Sequence, residues 1–397
     1  MIPARSWEDW RRLLAAERLP AALVDLDAVE ANASTMLAAA GAGSKLRIAT
    51  KSVRVPWLVR HLLELSPRLR GLMCWSAHEA AWMADLGFDD IIIAYPCARS
   101  DEAEAVAALS ARGLTVRPMV DAPEHLELLE QAAKAADAEV RAVLDVDASL
   151  RALGAHLGVR RSPIRNDEAA VALAARARGR VRIDGIMAYE AQVAGVRDHN
   201  PGSRALGPAR ALIKARSMPV VMARRAAVLA ALRAEGHEIA LVNGGGTGSL
   251  GLSAADPALT ELTAGSGFLA GHLFDGYDGL ELAPAAFFAL AVCRRSDPDH
   301  VTCAMGGVVA SGAVGADRQP QVHSPAGLEP LGLEGWGEVQ TPFRVVAGET
   351  PRIGDPVICR PAKSGEWLER FGEVLLVRGE RIVGRERTIR GLGGCFL

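Results

Sequence analysis

The chain has 397 residues, half of them hydrophobic, and a formal net charge of -2, which suggests two or three domains around a sizeable core and, with no basic stripe of interleaved aromatics, excludes a nucleic-acid or polyanion binder. No apolar stretch approaches the roughly 20 residues of a membrane span, and the polar, Trp-bearing start Met1 to Arg12 has no signal-peptide core, so a cytoplasmic protein is expected. Six scattered cysteines without a CxxC pair fit reduced thiols better than a disulfide frame or a zinc site.

From residue 20 to about 285, short apolar runs alternate with alanine-rich helical stretches, the pattern of βα units and a parallel sheet. In chain order the predicted strands are Ala21 to Leu26, Leu46 to Thr50, Gly71 to Trp75, Asp90 to Tyr95, Thr115 to Val120, Val140 to Val146, Arg182 to Ala188, Glu238 to Val242 and Glu261 to Ala264. The helices between them are Asp27 to Ala40, Ala77 to Asp85, Asp101 to Ala111, Ala122 to Ala135, Asp167 to Ala177 and Pro219 to Ala234, with Asn200 to Ala215 read as an insertion loop near the mouth. Nine strands are one too many for an eight-stranded barrel. If Ala21 to Leu26 pairs with the C-terminal strands instead, the other eight close a (β/α)8 TIM barrel of about 250 residues. After residue 285 the runs Ala285 to Val292, Val301 to Met305, Pro342 to Val346, Pro356 to Arg360, Phe371 to Val377 and Arg381 to Gly384 are separated by Gly and Pro turns. The expected organisation is a barrel over residues 20–284 and an all-β domain over 285–397 that also takes in part of 1–26.

Lysine occurs at only five positions, Lys45, Lys51, Lys134, Lys214 and Lys363, in a chain that otherwise uses arginine. Lys51 closes the first barrel strand. A guanidinium stays protonated, whereas a desolvated amine can lose its proton and attack a carbonyl. Chemistry in such barrels gathers at strand C-termini, and phosphate binding in the loops after strands seven and eight. Those loops read Asn243-Gly244-Gly245-Gly246-Thr247-Gly248-Ser249 and Ala264-Gly265-Ser266-Gly267. Glycines let backbone N–H groups crowd an anion, and the hydroxyls of Thr247, Ser249 and Ser266 add donors. A lysine facing a dianion cradle is what pyridoxal phosphate requires.

With Leu19 to Asp27, Arg47 to Arg54, Tyr189 to Gln192, Gly244 to Ser249 and Glu261 to Gly267, nearly the whole chain resembles the alanine-racemase-like, fold-type III pyridoxal phosphate enzymes. Within them it is most similar to the D-threonine aldolase and D-serine dehydratase branch, which includes amino acid deaminase/aldolases. The resemblance implies Lys51 as the Schiff-base lysine, an opening strand outside the barrel, and a homodimer in which the β domain of one subunit covers the barrel mouth of the other. It also implies cofactor contacts from Gly245, Gly246, Thr247, Gly265, Ser266 and Gly267.

Tyr189, ending strand six, is read either as a contact to the cofactor ring or as a half-buried aromatic, and Gln192, one turn on, as a polar contact. His156 stands where related enzymes often carry an arginine that reaches the cofactor's phenolic oxygen; it is read either in that role or as a core histidine. Tyr277 is a candidate phosphate or ring contact, and Arg54, one turn beyond Lys51, is expected to pair with an acid on the barrel exterior. Thr263 aligns with the position where decarboxylases of this fold place a glutamate against the pyridine nitrogen. A threonine cannot hold that nitrogen protonated, which disfavours decarboxylation and suits retro-aldol cleavage, β-elimination or racemisation.

The branch usually carries a His-x-Asp or His-x-Cys pair that binds a divalent metal gripping the substrate hydroxyl. The matching stretch Cys359 to Glu366 has no histidine, which leaves metal dependence unsupported. Lys363 or Glu366 is the substitute for polarisation or proton transfer, solvated surface charges being the alternative. The leading expectation is a lyase cleaving D-β-hydroxy-α-amino acids; the others are D-serine-type deamination, a racemase of the same fold, and a non-catalytic carrier of pyridoxal phosphate.

Overall fold

Eight short runs, apolar on both faces, become eight parallel strands because a sheet wrapped by helices is buried on both sides. A computed structural model of the chain describes residues 5–152, 154–313 and 315–396. The strands are Lys45–Ala49, Leu69–Cys74, Ile91–Pro96, Val116–Val120, Val140–Asp145, Val181–Met187, Leu241–Gly244 and Glu261–Ala264. They close into a barrel in that order, the last strand meeting the first with Glu261 opposite Lys45 and Ala264 opposite Ile48. Two expectations touch residues outside this description: residues 1–4 of the opening segment, and Leu153 ahead of His156.

Alternation along the strands sorts the core. Ile92, Met119, Val143, Met187 and Leu241 form one cluster, while Ile91 and Ile93 join the larger cluster of barrel and helix residues, as inward and outward positions of a barrel should. Toward the strand N-termini the packing is ionic. Arg47, fully buried, donates to Glu261 at 2.6 and 2.9 Å and to Asp90 at 2.9 Å, and Arg117 bonds Asp184. Gly71, at φ +73°, passes so close that a Cβ there would sit 2.4 Å from the Arg47 guanidinium.

The first predicted strand does lie outside the barrel. Ala21–Asp25 pairs antiparallel with Ala286–Asp297 and parallel with Glu373–Arg378, at the centre of a nine-stranded sheet that makes the C-terminal domain strand-rich. Trp7–Leu14 packs Trp10 and Leu14 with the outer face of this sheet. That helix was not predicted, nor was Pro56–Leu65: the first lies in a charged segment with few apolar positions, and the second is a short apolar run that periodicity alone does not separate from a strand. The seventh strand begins three residues later than expected. Asn200 to Ala215 is not a loop throughout: a turn over Pro201–Leu206 leads into one 28-residue helix, Gly207–Ala234, that runs through Pro219. Gly207-Pro208 supplies the helix start, and the buried Ser217, Met218 and Val221 show packing holding the helix across the proline. No helix among the described residues is long and apolar enough to cross a membrane.

Candidate active site

At the C-terminal ends of the barrel strands lies a cavity of about 920 Å³, floored by the barrel and walled on one side by Ser311, Arg318, Lys363 and Glu366 of the second domain. Lys51 stands on its floor, in the 3-10 turn Thr50–Ser52 that follows the first strand directly. Its side chain is reachable from the open cavity yet surrounded by the barrel mouth. This burial, together with the positive charges of Arg161, Lys363 and Arg54, lowers its proton affinity below that of an ordinary lysine, and only Glu79 opposes them. Glu79 is buried and its own carboxyl is pushed up by desolvation.

The Lys51 turn is clamped from behind. Arg54, at φ +50°, folds back so that Nε donates to the Lys51 carbonyl at 3.0 Å while Nη1 meets Glu369 at 2.6 Å. Gly365 lies against the same carbonyl; a Cβ there would come within 2.0 Å of it. One residue earlier, Ser364 Oγ donates to the Ser266 carbonyl at 2.6 Å. A single strap of the second domain thus fixes both the lysine and one glycine loop.

The two glycine loops face each other across the floor. Gly245, Gly246, Thr247, Gly265 and Ser266 all line the cavity, and each loop opens a short helical turn whose leading N–H groups have no carbonyl of that turn to bond. Ser52 and Ser266 hydroxyls are 3.1 Å apart, and Thr247 Oγ1 accepts the Gly267 N–H at 3.1 Å. Space here admits only glycine. An added Cβ would stand 2.8 Å from Ala194 at Gly246, 2.8 Å from the Ala49 carbonyl at Gly265 and 2.2 Å from Tyr277 at Gly248. Beneath the first loop, fully buried Glu190 accepts from Gly245 N–H at 3.3 Å and Ser249 Oγ at 2.7 Å. Its carboxyl is held ionised against burial by Arg225, which also bonds Asp256 at 2.9 Å.

Tyr189 lines the cavity between the Gly246 backbone and Arg161, whose guanidinium lies 5.4 Å from the Tyr189 ring and 5.8 Å from that of Tyr95; desolvation raises the phenol's proton affinity. Tyr277 packs on the first loop and donates to the Ala194 carbonyl at 2.9 Å. Thr263 shares hydrogen bonds with Asn243 at 2.8 and 3.2 Å, so a neutral pair occupies that part of the floor. Opposite, Lys363 Nζ donates to Ser311 Oγ at 2.7 Å, and Ser311 donates through Oγ to Glu366 at 2.6 Å. Partial burial lowers the Lys363 proton affinity, Glu366 raises it and Arg318 lowers it again.

Three predicted residues stand elsewhere. His156 lies in a small hairpin, Leu150–Ala152 with Ala155–Leu157, its Nε2 3.2 Å from the Val159 carbonyl and off the cavity wall. The hairpin turns that segment away and delivers Arg161 instead. Gln192 is buried behind the wall, donating to the Ala148 carbonyl at 2.7 Å, and Gly267 lies behind Thr247. Arg161, Ser311 and Arg318 went unread. Arg161 had a signal, an arginine pair five residues past the position searched; the other two come from loops that only tertiary folding brings to the barrel.

The arrangement can hold a phosphate group on two glycine loops with a reactive amine nearby, and the cavity lies within the volumes usual for cofactor and ligand sites, about 300–1,000 Å³. Among the described residues no group of three or more His, Cys, Asp or Glu side chains is placed to hold a metal ion. Comparison with known proteins agrees with the fold. The family model described as alanine racemase, N-terminal domain, matches residues 24–266. A crystal structure of D-threonine aldolase from Filomicrobium marinum is 24% identical, with 100% of each chain covered and a TM-score of 0.80. D-threo-3-hydroxyaspartate dehydratase from Delftia sp. HT23 is 17% identical over 95% of this chain and 98% of its own, with a TM-score of 0.76. An alanine racemase from Clostridium difficile 630, in complex with cycloserine, is 14% identical over 94% and 99%, with a TM-score of 0.66. A search of curated protein sequences gave no match.

Proposed function

Since the chain belongs to the family of the alanine racemase N-terminal domain, we propose that it is a pyridoxal phosphate-dependent lyase that cleaves D-β-hydroxy-α-amino acids into glycine and an aldehyde. The observation that carries this reading is the pairing of two amines across one cavity: Lys51 between the glycine loops, and Lys363 on the opposite wall beside Ser311 and Glu366. The site's donors fit the cofactor. Gly246, Thr247, Gly265 and Ser266 would hold its phosphate, Lys51 its carbonyl carbon, and Tyr189 and Arg161 its ring and phenolic oxygen. When bound, that group supplies an electron sink for the pair left at a substrate's α carbon.

The chain's own residues do the rest. Desolvation and nearby cations lower the proton affinity of Lys51, which favours the amine form that is nucleophilic. Lys363, in its neutral form, takes the β-hydroxyl proton; the O–H pair becomes the aldehyde C=O as Cα–Cβ breaks, and Lys51, which has taken a proton from the incoming substrate's ammonium, returns one to Cα to give glycine. The neutral Thr263–Asn243 pair would offer no acid to a pyridine nitrogen placed on that part of the floor, so the ring would be a milder electron sink.

A second reading has its own observation. Glu366 Oε2 lies 3.9 Å from Lys363 Nζ and favours the ammonium, which would protonate a departing hydroxyl to water as Lys51 takes the Cα proton; the enamine left would tautomerise and add water, giving a keto acid and ammonia. We further propose a homodimer, read from the resemblance and checked by light scattering in solution. The deciding experiment incubates pyridoxal phosphate-loaded protein with D-threonine, D-phenylserine and D-serine, with and without chelator, and identifies products by chromatography. Glycine plus aldehyde is expected; conversion of each substrate only to its enantiomer would sink the lyase reading.

A further inference from the structure

Six cationic side chains line the cavity, Lys51, Arg54, Arg161, Arg197, Arg318 and Lys363, against one carboxylate, Glu366. Most have an occupation in the fold. Arg54 is bonded to Glu369 and the Lys51 carbonyl, Arg197 to Asp317 at 2.8 Å, Lys363 to Ser311, and Arg161 covers two tyrosine rings. Lys51 has the role already proposed.

Arg318 differs. Its Nε is buried without a hydrogen-bond partner. The one acid oxygen within 4 Å of its guanidinium among the described residues, Asp317 Oδ1, is 3.9 Å away, beyond hydrogen-bond reach, and Arg197 holds the other oxygen of that aspartate. A buried guanidinium nitrogen left without an acceptor is costly unless a ligand supplies one. Its fork of donors matches a carboxylate with two parallel bonds, which an ammonium cannot reproduce. The glycine loops bind phosphate by backbone groups on the barrel side, so this charge, on the second-domain wall beside Lys363, is left for the substrate.

We propose that Arg318 is the carboxylate-binding residue of the substrate subsite. The assignment rests on the lyase reading for the identity of the substrate, an amino acid, but not for the carboxylate chemistry. Two sources offer that group: the α-carboxylate of any amino acid, and the side-chain carboxylate of a dicarboxylic 3-hydroxy amino acid.

The test uses the full-length protein loaded with pyridoxal phosphate, with Arg318→Gln and Arg318→Lys checked for an unchanged thermal midpoint. KM for D-threonine and for D-threo-3-hydroxyaspartate should rise about 10- to 100-fold in Arg318→Gln, with kcat within a few-fold and cofactor content unchanged. Arg318→Lys should recover only part of the loss. A rise for both substrates assigns the fork to the α-carboxylate; a rise confined to the dicarboxylic substrate assigns it to the side chain. Calorimetric titration with malonate and propionate reads carboxylate binding without turnover, and affinities that Arg318→Gln leaves unchanged would overturn the proposal. If wild-type protein takes up no pyridoxal phosphate, the cofactor reading fails, while the malonate titration still decides Arg318.

Discussion

The barrel floor and the second-domain wall build the same cavity by opposite means. On the floor, recognition is backbone chemistry: two glycine loops at strand ends, packed so tightly that a Cβ at Gly246 or Gly265 would collide, plus one lysine on a turn clamped by Arg54 and Gly365. On the wall it is side-chain chemistry, with Ser311, Arg318, Lys363 and Glu366 carried on loops between strands. Rigid strand ends suit a cofactor common to a family, while loops vary at little cost to the fold. On the proposed reading, the difference teaches that holding the cofactor falls to the floor and most of the choice of reaction to the wall.

Substitutions can break this division. Lys51→Ala should produce the largest effect: turnover falls by at least about 10⁴-fold, and borohydride reduction followed by peptide mass spectrometry finds no cofactor on the chain. Lys363→Met should lower kcat by about 10²-fold or more while the same trapping still labels Lys51. If Lys363→Met lost the cofactor as well, the two halves would not be separable.

Glu190→Gln sharpens the floor's side of the comparison. Removing one partner of a buried ion pair costs about 3–5 kcal/mol, and the glycine loop loses its anchor, so denaturant unfolding should shift and cofactor affinity fall, with the KM of remaining holoenzyme little changed. The smallest effect is expected at Asp145, whose carboxyl, buried at the end of the fifth strand, is pushed up to about 7 by desolvation and by Asp121 and Asp147 against the pull of Arg161. A carboxyl raised in the folded state keeps its proton there after the unfolded chain has lost it, so stability falls as pH rises from about 4 to 7. Asp145→Asn should remove that slope, leaving stability at pH 4 unchanged and adding about 1–2 kcal/mol at pH 8 in paired urea melts, less than the full linkage value of about 1.4 kcal/mol per pKa unit.

Much of the floor was legible. Period-two and apolar runs mark strands, a surplus ninth strand has to pair elsewhere, and a rare lysine and two glycine runs fall at strand ends because chain order dictates where βα loops lie. Tyr189 followed from the same logic. The His156 position was misplaced because an eight-residue hairpin, 150–157, intervenes, and a pairing between Leu150 and Leu157 leaves no periodic signal in so short a stretch. The helix Gly207–Ala234 was begun too late, at Pro219, because a proline locally suits a first helical turn, and the packing of buried Met218 and Val221 carries the helix across it.

By itself the sequence determined the barrel, its strand order, and a lysine with two glycine runs at its mouth, since these depend on neighbours in the chain and on the alternation that burial imposes. Only the tertiary structure decided which charges share the cavity. Arg161, Arg318 and Lys363 lie 110 to 312 residues from Lys51, and no local pattern brings them together. Closing the barrel brings Arg161 to the mouth, and packing the nine-stranded sheet on it brings Arg318 and Lys363, through the opening strand Ala21–Asp25 and the strap that rests Gly365 on the Lys51 carbonyl.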